Sequence, residues 1–573
     1  MTYKYIAFLV LLSSPLTVTT RASRGSSRVG DVNGGTDCAA CTLIVSLIDQ
    51  LGLVYQESID RAMQRLCSYL PEQYKATCKS FVIIAGPIII DLLANGESPD
   101  AICHALTFCK TEPPNPACHL YPAPPGGLME SIKRSKMQAA KHGLRDIVNS
   151  DICDVLPGLK QICEIIEGKL TNHDPVVDLD DDGFSTIDIL RGSSWRGKDC
   201  DDLHAGIHPG AKPLDWDRYE DSNCNGIYGV DPVSGIPYEQ TLCGESGPMG
   251  VAILGDSAGA HFHIPAEWVT PTKMSLEVFQ NVTFVAGNEL DWPSMSSTTG
   301  FQNLSWPIVN GYTDSLYLRM RSRNLCNHRD YQNIAVNGGS ASNMNSTIVK
   351  SLSRDQDSDY PMLILYSLIG NDVCNGHPDT VAHMTTPEEY RASVLDTMKY
   401  LDTVLPAGSN LVFSGLADGR VLWKYLHNRY HPIGELRGDV TYSDLYQYLI
   451  CLQVAPCTGW MSANATLRDI TSERAVNLSK VLEEIANTSS YKNFKIKYVD
   501  FDLQTVIDDW VAQGGEPWQL IEPVDGFHPS QISQVLTSQY TWKGYKELWP
   551  EILGKENPNN DKIKKLFGDQ GGY

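Results

Sequence analysis

Hydrophobic positions in the first hundred residues repeat with the period of a helix. Ile44, Leu47, Ile48 and Leu51 fall at i, i+3, i+4 and i+7, which predicts a helix with one apolar face. Residues 81–93 (FVIIAGPIIIDLL) are apolar nearly all round and are interrupted by Gly86-Pro87, a pair expected to kink a helix. That run is shorter than the ~18 to 20 residues a bilayer span needs. Ahead of it, Lys4 precedes an apolar core over residues 5–12 and small residues near Ala22, the order of a secretory signal peptide, assigned to residues 1–22. Residues 23–36 are Gly, Ser and charge without a period, and read as a linker or removable pro-segment. Further on the pattern changes. Residues 251–254, 362–369, 410–416 and 494–499 are strand candidates, interleaved with helical stretches such as Glu473 to Ala486.

A chain of 573 residues is expected to hold two or three folded units. Its 68 acids against 46 bases, a net charge of -22, argue against nucleic acid as a partner, since phosphate binders cluster positive charge. Sequons begin at Asn281, Asn303, Asn345, Asn464, Asn477 and Asn487, and none precedes them. With an export signal they predict a secreted protein, glycosylated on its C-terminal part, in an oxidising compartment where sixteen cysteines can pair; endolysosomal or secretory vesicles are further expected locations.

Cys38, Cys41, Cys67, Cys78, Cys103 and Cys109 punctuate the helical region, residues 37–118. So small a unit cannot bury much core, and disulfides are expected to hold its helices. Six cysteines permit fifteen pairings. Their spacing and the helical pattern resemble a saposin B-type domain, which implies Cys38 with Cys109, Cys41 with Cys103 and Cys67 with Cys78. The resemblance also implies lipid handling at a membrane or micelle surface; the alternative is that the apolar run docks on the rest of the protein. Residues 119–150 combine YPAPPGG with Lys133, Arg134, Lys136, Lys141 and Arg145, and read as a linker with a processing site.

Residues 151–242 contain a carboxylate cluster. From Asp174 to Asp231 there are fourteen acids and five bases, which would repel unless neutralised. Asp178, Asp180 and Asp182 alternate and are followed by Gly183, the oxygen-ligand pattern of calcium loops, but Ile189 stands where an EF-hand carries its bidentate Glu. The stretch resembles the DxDxDG, DCDD, PGA, DxNCNG type of calcium-binding repeat found in secreted proteins. That resemblance implies Asp174, Asp178, Asp180, Asp182, Asp199, Asp201, Asp202, Asp217, Asp221, Asn223 and Asn225 as ligands of more than one structural calcium ion, with carbonyls from Phe184, His204, Ile207 and Ile227. An acidic solvated loop is the alternative.

Val251 to Ser257 (VAILGDS) reads as a buried strand that exposes Ser257 in a tight turn of small residues, as a nucleophile requires. Met362 to Asp372 brings Asn371 to another strand end, where its amide can donate to an oxyanion. Val336-Asn337-Gly338-Gly339 offers an unobstructed backbone N–H at Gly338 or Gly339. Asp525 and His528 lie three apart near the C-terminus, so Asp525 can orient His528 as the base for Ser257. These blocks resemble the GDSL, or SGNH, hydrolases, which implies a three-layer α/β/α sandwich with a parallel sheet over residues 243–573, and Gly338 is preferred as the block-two donor. His261 and His263 follow the serine, but lack the partners of a zinc site.

All parts together are similar to the acyloxyacyl hydrolase family, lipases that remove secondary fatty acyl chains from lipid A of bacterial lipopolysaccharide. GDSAGAHFH, NELDWP, CNHRDYQN, IGNDVC, WQLIEPVDGFHP and FGDQGG carry that similarity. It implies a precursor cut into a small and a large subunit joined by Cys118 with Cys451, and the pairs Cys153 with Cys163, Cys200 with Cys224, Cys243 with Cys326 and Cys374 with Cys457. A broader phospholipase or acyl esterase, and a non-catalytic saposin-type lipid carrier, are the alternatives.

Overall fold

The computed structural model of the chain describes residues 32–142, 172–306 and 309–573; the signal peptide, most of the pro-segment and the Cys153–Cys163 pair lie outside the described residues. Five helices form the N-terminal unit: α1 (Gly35–Tyr55), α2 (Ile59–Tyr69), α3 (Glu72–Ala94), α4 (Pro99–Ala105) and α5 (Leu128–Lys141). Disulfides Cys38–Cys109, Cys41–Cys103 and Cys67–Cys78 tie these helices together. One sequence expectation needs correcting here. The apolar run, with Gly86-Pro87 inside it, belongs to a helix of 23 residues whose Tyr74–Ala94 stretch is long and apolar enough by composition to cross a membrane. Its inner side, Ala85, Ile88, Ile89 and Leu92, is buried in the unit, whereas Ile83 and Ile84 are 76% and 54% exposed. Lys133, Arg134, Lys136 and Lys141 of the linker fall in α5, where Arg134 pairs with the buried Glu97 at 2.8 Å, so cleavage within that helix requires it to open; Arg145 lies outside the described residues.

Helix α1 was expected to bury one face, yet it is buried nearly all round. Its second face packs on the remainder of the chain. The Tyr448 hydroxyl donates to Thr42 Oγ1 at 2.9 Å, the Gln50 amide donates to the Ile433 carbonyl at 2.7 Å, and Cys118–Cys451 crosses the same junction.

The C-terminal part is built on a sheet of β1 (Gly250–Gly255), β4 (Tyr331–Asn333), β5 (Met362–Ser367), β6 (Ser409–Ser414) and β7 (Phe494–Val499), all parallel, in the order β4-β1-β5-β6-β7. A separate hairpin pairs β2 (Asn303–Trp306) with β3 (Val309–Tyr312). Helices connecting and flanking these strands include α6 (Ser257–Ala260), α7 (Pro387–Val404), α8 (Tyr442–Cys451), α9 (Ala465–Thr488), α10 (Leu503–Ala512) and α11 (Gln531–Leu548). The pleat divides the strands into two cores. Ala252, Leu254, Ile364, Tyr366, Leu411 and Phe413 pack with Tyr390, Met398 and Leu478 of α7 and α9, while Val251, Leu363 and Val412 pack with Tyr317 and Tyr545 on the opposite face. This is an α/β/α sandwich.

Candidate active site

Taken alone, the sheet strands run in the sequence order 2-1-3-4-5, so successive connections from β1 and β5 leave in opposite directions across the sheet. Ligand crevices open at such a switch, outside the strand carboxyl ends. Ser257 follows β1 and Asn371 follows β5, one on each side of it. The turn after the serine is close-packed: a methyl group at Gly259 would stand 2.7 Å from Ile253 Cδ1.

His528 arrives from the turn before α11. The Asp525 carboxylate accepts the amides of Phe527 and His528 at 2.8 and 3.1 Å through one oxygen and faces His528 Nδ1 with the other. His528 Nε2 lies 2.7 Å from Ser257 Oγ. With Nδ1–H directed at Asp525, the Nε2 lone pair is left to accept the serine proton. Ser257, Asn371 and His528 line one open cleft whose other lining residues include the apolar Val421, Leu422, Trp460, Phe501, Ile507 and Phe527.

The block-two loop lies beside the end of β1, since Val336 N donates to Gly255 O at 3.2 Å. Gly339 N–H is committed to Val336 O at 2.9 Å, whereas Gly338, at φ +76°, keeps its N–H outside that turn. Two carboxylates that the sequence reading did not single out hold these loops. Asp256 accepts amides from Ala258, Ile369 and Gly370, and Asp372 accepts Ala341 N at 3.0 Å and the Thr385 hydroxyl at 2.8 Å. Burial pushes both carboxyls up to about 6, against the pull of those donors. Their presence within GDS and GND is visible in the sequence; their donors, up to 114 residues away, are not.

The acidic region gathers some of its candidates and separates others. Asp178, Asp180 and Asp202 form one group with carboxylate oxygens within 4.8 Å of one another, and Asp180, Asp182 and Asp199 form a second. Asp180 Oδ2, Asp182 Oδ2 and Asp199 Oδ2 are buried without a hydrogen-bond partner, which suits a cation with oxygen ligands. Burial and the surrounding carboxylates push Asp182 up to about 8. Asp201 instead faces His204 Nδ1 at 2.7 Å. Asp174 belongs to neither group. Phe184, Ile207 and Ile227 are buried in these loops, and Cys200–Cys224 closes them. Further along, Asp221 accepts the amides of Asn225 and Gly226, and the Asn223 and Asn225 side chains donate to Glu239, a buried carboxylate the sequence reading missed. Nearby, Asp217 Oδ2 is buried without a partner.

Cys243–Cys326 and Cys374–Cys457 brace the catalytic part. Of the sequon residues, Asn281, Asn303, Asn464 and Asn487 are exposed, and Asn345 and Asn477 are half-buried.

The family model for a saposin-like domain matches residues 37–164, and that for GDSL-like lipases and acylhydrolases matches residues 251–536. The acyloxyacyl hydrolase of Oryctolagus cuniculus is 47% identical over 575 residues, covering 98% of this chain and 99% of that protein. That of Homo sapiens is 47% identical over 572 residues, covering 99% and 98%. Prosaposin of Gallus gallus is 27% identical over 118 residues, 21% of this chain and 22% of its own length. An intact serine-hydrolase fold fused to a saposin-like unit, with relatives aligned end to end, makes this chain a member of the acyloxyacyl hydrolase family.

Proposed function

We propose that this chain is a secreted lipase that cleaves secondary, acyloxyacyl ester bonds of lipopolysaccharide lipid A, with Ser257 as nucleophile. The 2.7 Å approach of His528 Nε2 to Ser257 Oγ at the mouth of an apolar cleft is the observation that carries the reading. Ser257 Oγ attacks the ester carbonyl while His528 takes its proton, and Asp525 stabilises the imidazolium. The tetrahedral oxyanion is held by the Ser257 and Gly338 N–H groups and the Asn371 side-chain amide. His528 then protonates the departing hydroxyacyl oxygen, and the acyl group stays on Ser257. Water, deprotonated by His528, releases the fatty acid and restores the serine.

The acidic loops hold calcium in a structural role: Asp178, Asp180 and Asp202 at one ion, Asp180, Asp182 and Asp199 at its neighbour, and the 217–225 loop with Glu239 at a further one. Buried, unpartnered carboxylate oxygens support this. The N-terminal unit presents acylated lipids from a membrane or micelle, supported by the exposed Ile83 and Ile84 on an otherwise anchored helix. Cleavage of the precursor between the two parts leaves subunits joined by Cys118–Cys451.

Fatty acids released from purified lipopolysaccharide by wild type and Ser257→Ala test the assignment. The variant is expected to lose activity by several orders of magnitude while still binding lipopolysaccharide. Unchanged release would refute it. The apolar cleft recognises a tail rather than a headgroup, which keeps a broader acyl esterase as the second reading; parallel release from phospholipid at a higher rate would favour that one.

A further inference from the structure

Two residues next to the site, the buried Glu522 and the half-buried His263, have no part in the chemistry above. Glu522 is fully buried, and its Oε2 accepts the amides of Val524 at 2.7 Å and Asp525 at 3.0 Å. The backbone returns on itself there, because Glu522 N donates to His528 O at 2.7 Å and Gly526 N donates to Glu522 O at 3.0 Å. Glu522 therefore sits at the root of the turn that carries both Asp525 and His528. Its second oxygen, Oε1, lies at ion-pair distance, 3.2 Å, from His263 Nδ1, and neither atom makes a hydrogen bond. His263 comes from the segment six residues after Ser257. The serine segment and the histidine turn thus meet twice, at Ser257–His528 and at His263–Glu522.

The opposite side of the turn is gripped through carbonyls. His431 Nε2 donates to Val524 O at 2.8 Å while its Nδ1 accepts the Ile433 amide, which fixes it as a neutral tautomer; Tyr442 and Tyr446 donate to Pro523 O and Gly526 O. Among the described residues, His263 supplies the one ion-pair contact of Glu522. An ionised Glu522 beside Asp525 would place two carboxylates on one short turn, and a buried carboxylate of that kind persists only when paired.

We propose that His263 and the buried Glu522 form an imidazolium–carboxylate pair that positions the Asp525–His528 turn and sets the electrostatic potential felt by His528. The proposal rests on the reading of Ser257, His528 and Asp525 as the reacting set. His263 and Glu522 are positioning residues and touch neither substrate nor nucleophile. The titratable groups around the pair are Asp525 and His528 on the turn, His261 and, across the Phe262–Asp291 bridge, Asp291 on the serine side, and Arg429, His431 and Tyr442 on the far side.

The test is the pH dependence of kcat/KM on a soluble p-nitrophenyl ester, using the full chain with calcium. Glu522→Gln keeps an oxygen to accept the two amides but removes the negative charge, so His528 holds its proton less tightly and the acid limb moves down, on the order of half a pH unit. His263→Gln removes the positive charge and moves the limb up by a similar amount. The double variant returns it to the wild-type position. Glu522→Asp keeps the charge and is expected to retain the wild-type limb with a lower kcat, and it carries the test if the Gln variants do not fold. Shifts in the same direction, lost kcat without any shift, or a displaced limb in Glu522→Asp would overturn the pair as an electrostatic device. Ser257→Ala run alongside separates the two readings: a dead Ser257→Ala with unshifted pair variants defeats this inference alone, and an active one defeats the catalytic assignment itself.

Discussion

Asp372 accepts the backbone amide of Ala341 at 3.0 Å, joining the loop that carries Asn371 to the loop that carries Gly338 through one buried carboxylate. Asp256 makes the corresponding tie between the serine turn and Ile369-Gly370. The three segments proposed to surround the oxyanion are held by these two side chains.

Asp372→Ala should therefore misplace two oxyanion donors while leaving Ser257 and His528 in contact. Turnover of a soluble ester is expected to fall roughly a hundredfold, the scale of a 1 Å displacement at a reacting centre, with KM little changed. Labelling of Ser257 by a fluorophosphonate should persist. A variant with wild-type kcat would show that the tie is dispensable.

The same carboxyl makes stability depend on pH. Its folded value, about 6, stands above that of an exposed aspartate because burial disfavours the charge. The folded state consequently binds the proton more tightly than the unfolded chain, and the stability gained in acid is lost as pH rises through about 6. Asn at position 372 has no proton to lose. Urea unfolding of wild type and Asp372→Asn should show a wild-type advantage larger at pH 5 than at pH 7, and an advantage that grows with pH would contradict the sign.

Asp180 belongs to both carboxylate groups. Asp180→Asn is expected to reduce bound calcium per chain, measured by atomic emission, by more than Asp202→Asn, which touches one group. Chelation of the wild-type protein should lower Tm by on the order of 5 °C, from the few kcal/mol that saturating ligand contributes. Equal calcium content in the two variants would argue against a shared ligand.

Ile83 and Ile84 are exposed on α3, an orientation that costs apolar surface unless a lipid covers it. Ile83→Glu/Ile84→Glu should slow hydrolysis of micellar or vesicle-borne substrate at least about tenfold, given ~1.5 to 3 kcal/mol for burying one such side chain. Cleavage of a soluble short-chain ester should be unaffected. Equal loss on both substrates would mean that the helix supports folding rather than lipid contact.

The strand runs at β1, β5 and β6 could be read from the sequence because each is a short, largely apolar block buried on both faces by helices, and β7, FKIKYV, from its alternation of apolar residues with lysine. Strand β4 could not: Tyr331–Asn333 is three residues with two polar side chains, buried only because the 191–196 segment and the end of β1 close around it. Ser257, Asn371 and the Asp525–His528 pair announce themselves as local motifs. Glu239 and Glu522 do not, since what makes each carboxylate consequential is a neighbour brought by the fold, Asn223 and Asn225 for one and His263 for the other. The all-round burial of α1 was hidden for the same reason: its pattern records its own unit, while its outer face is covered by a segment four hundred residues later.

That segment does double duty. Residues 431–448 hold α1 through Ile433 and Tyr448, and hold the histidine turn through His431, Tyr442 and Tyr446. One girder thus bears the saposin-like helices on one flank and the turn of His528 on the other. Amputating the smaller piece would remove more than a greasy handle; it would unload the beam against which the imidazole is aimed.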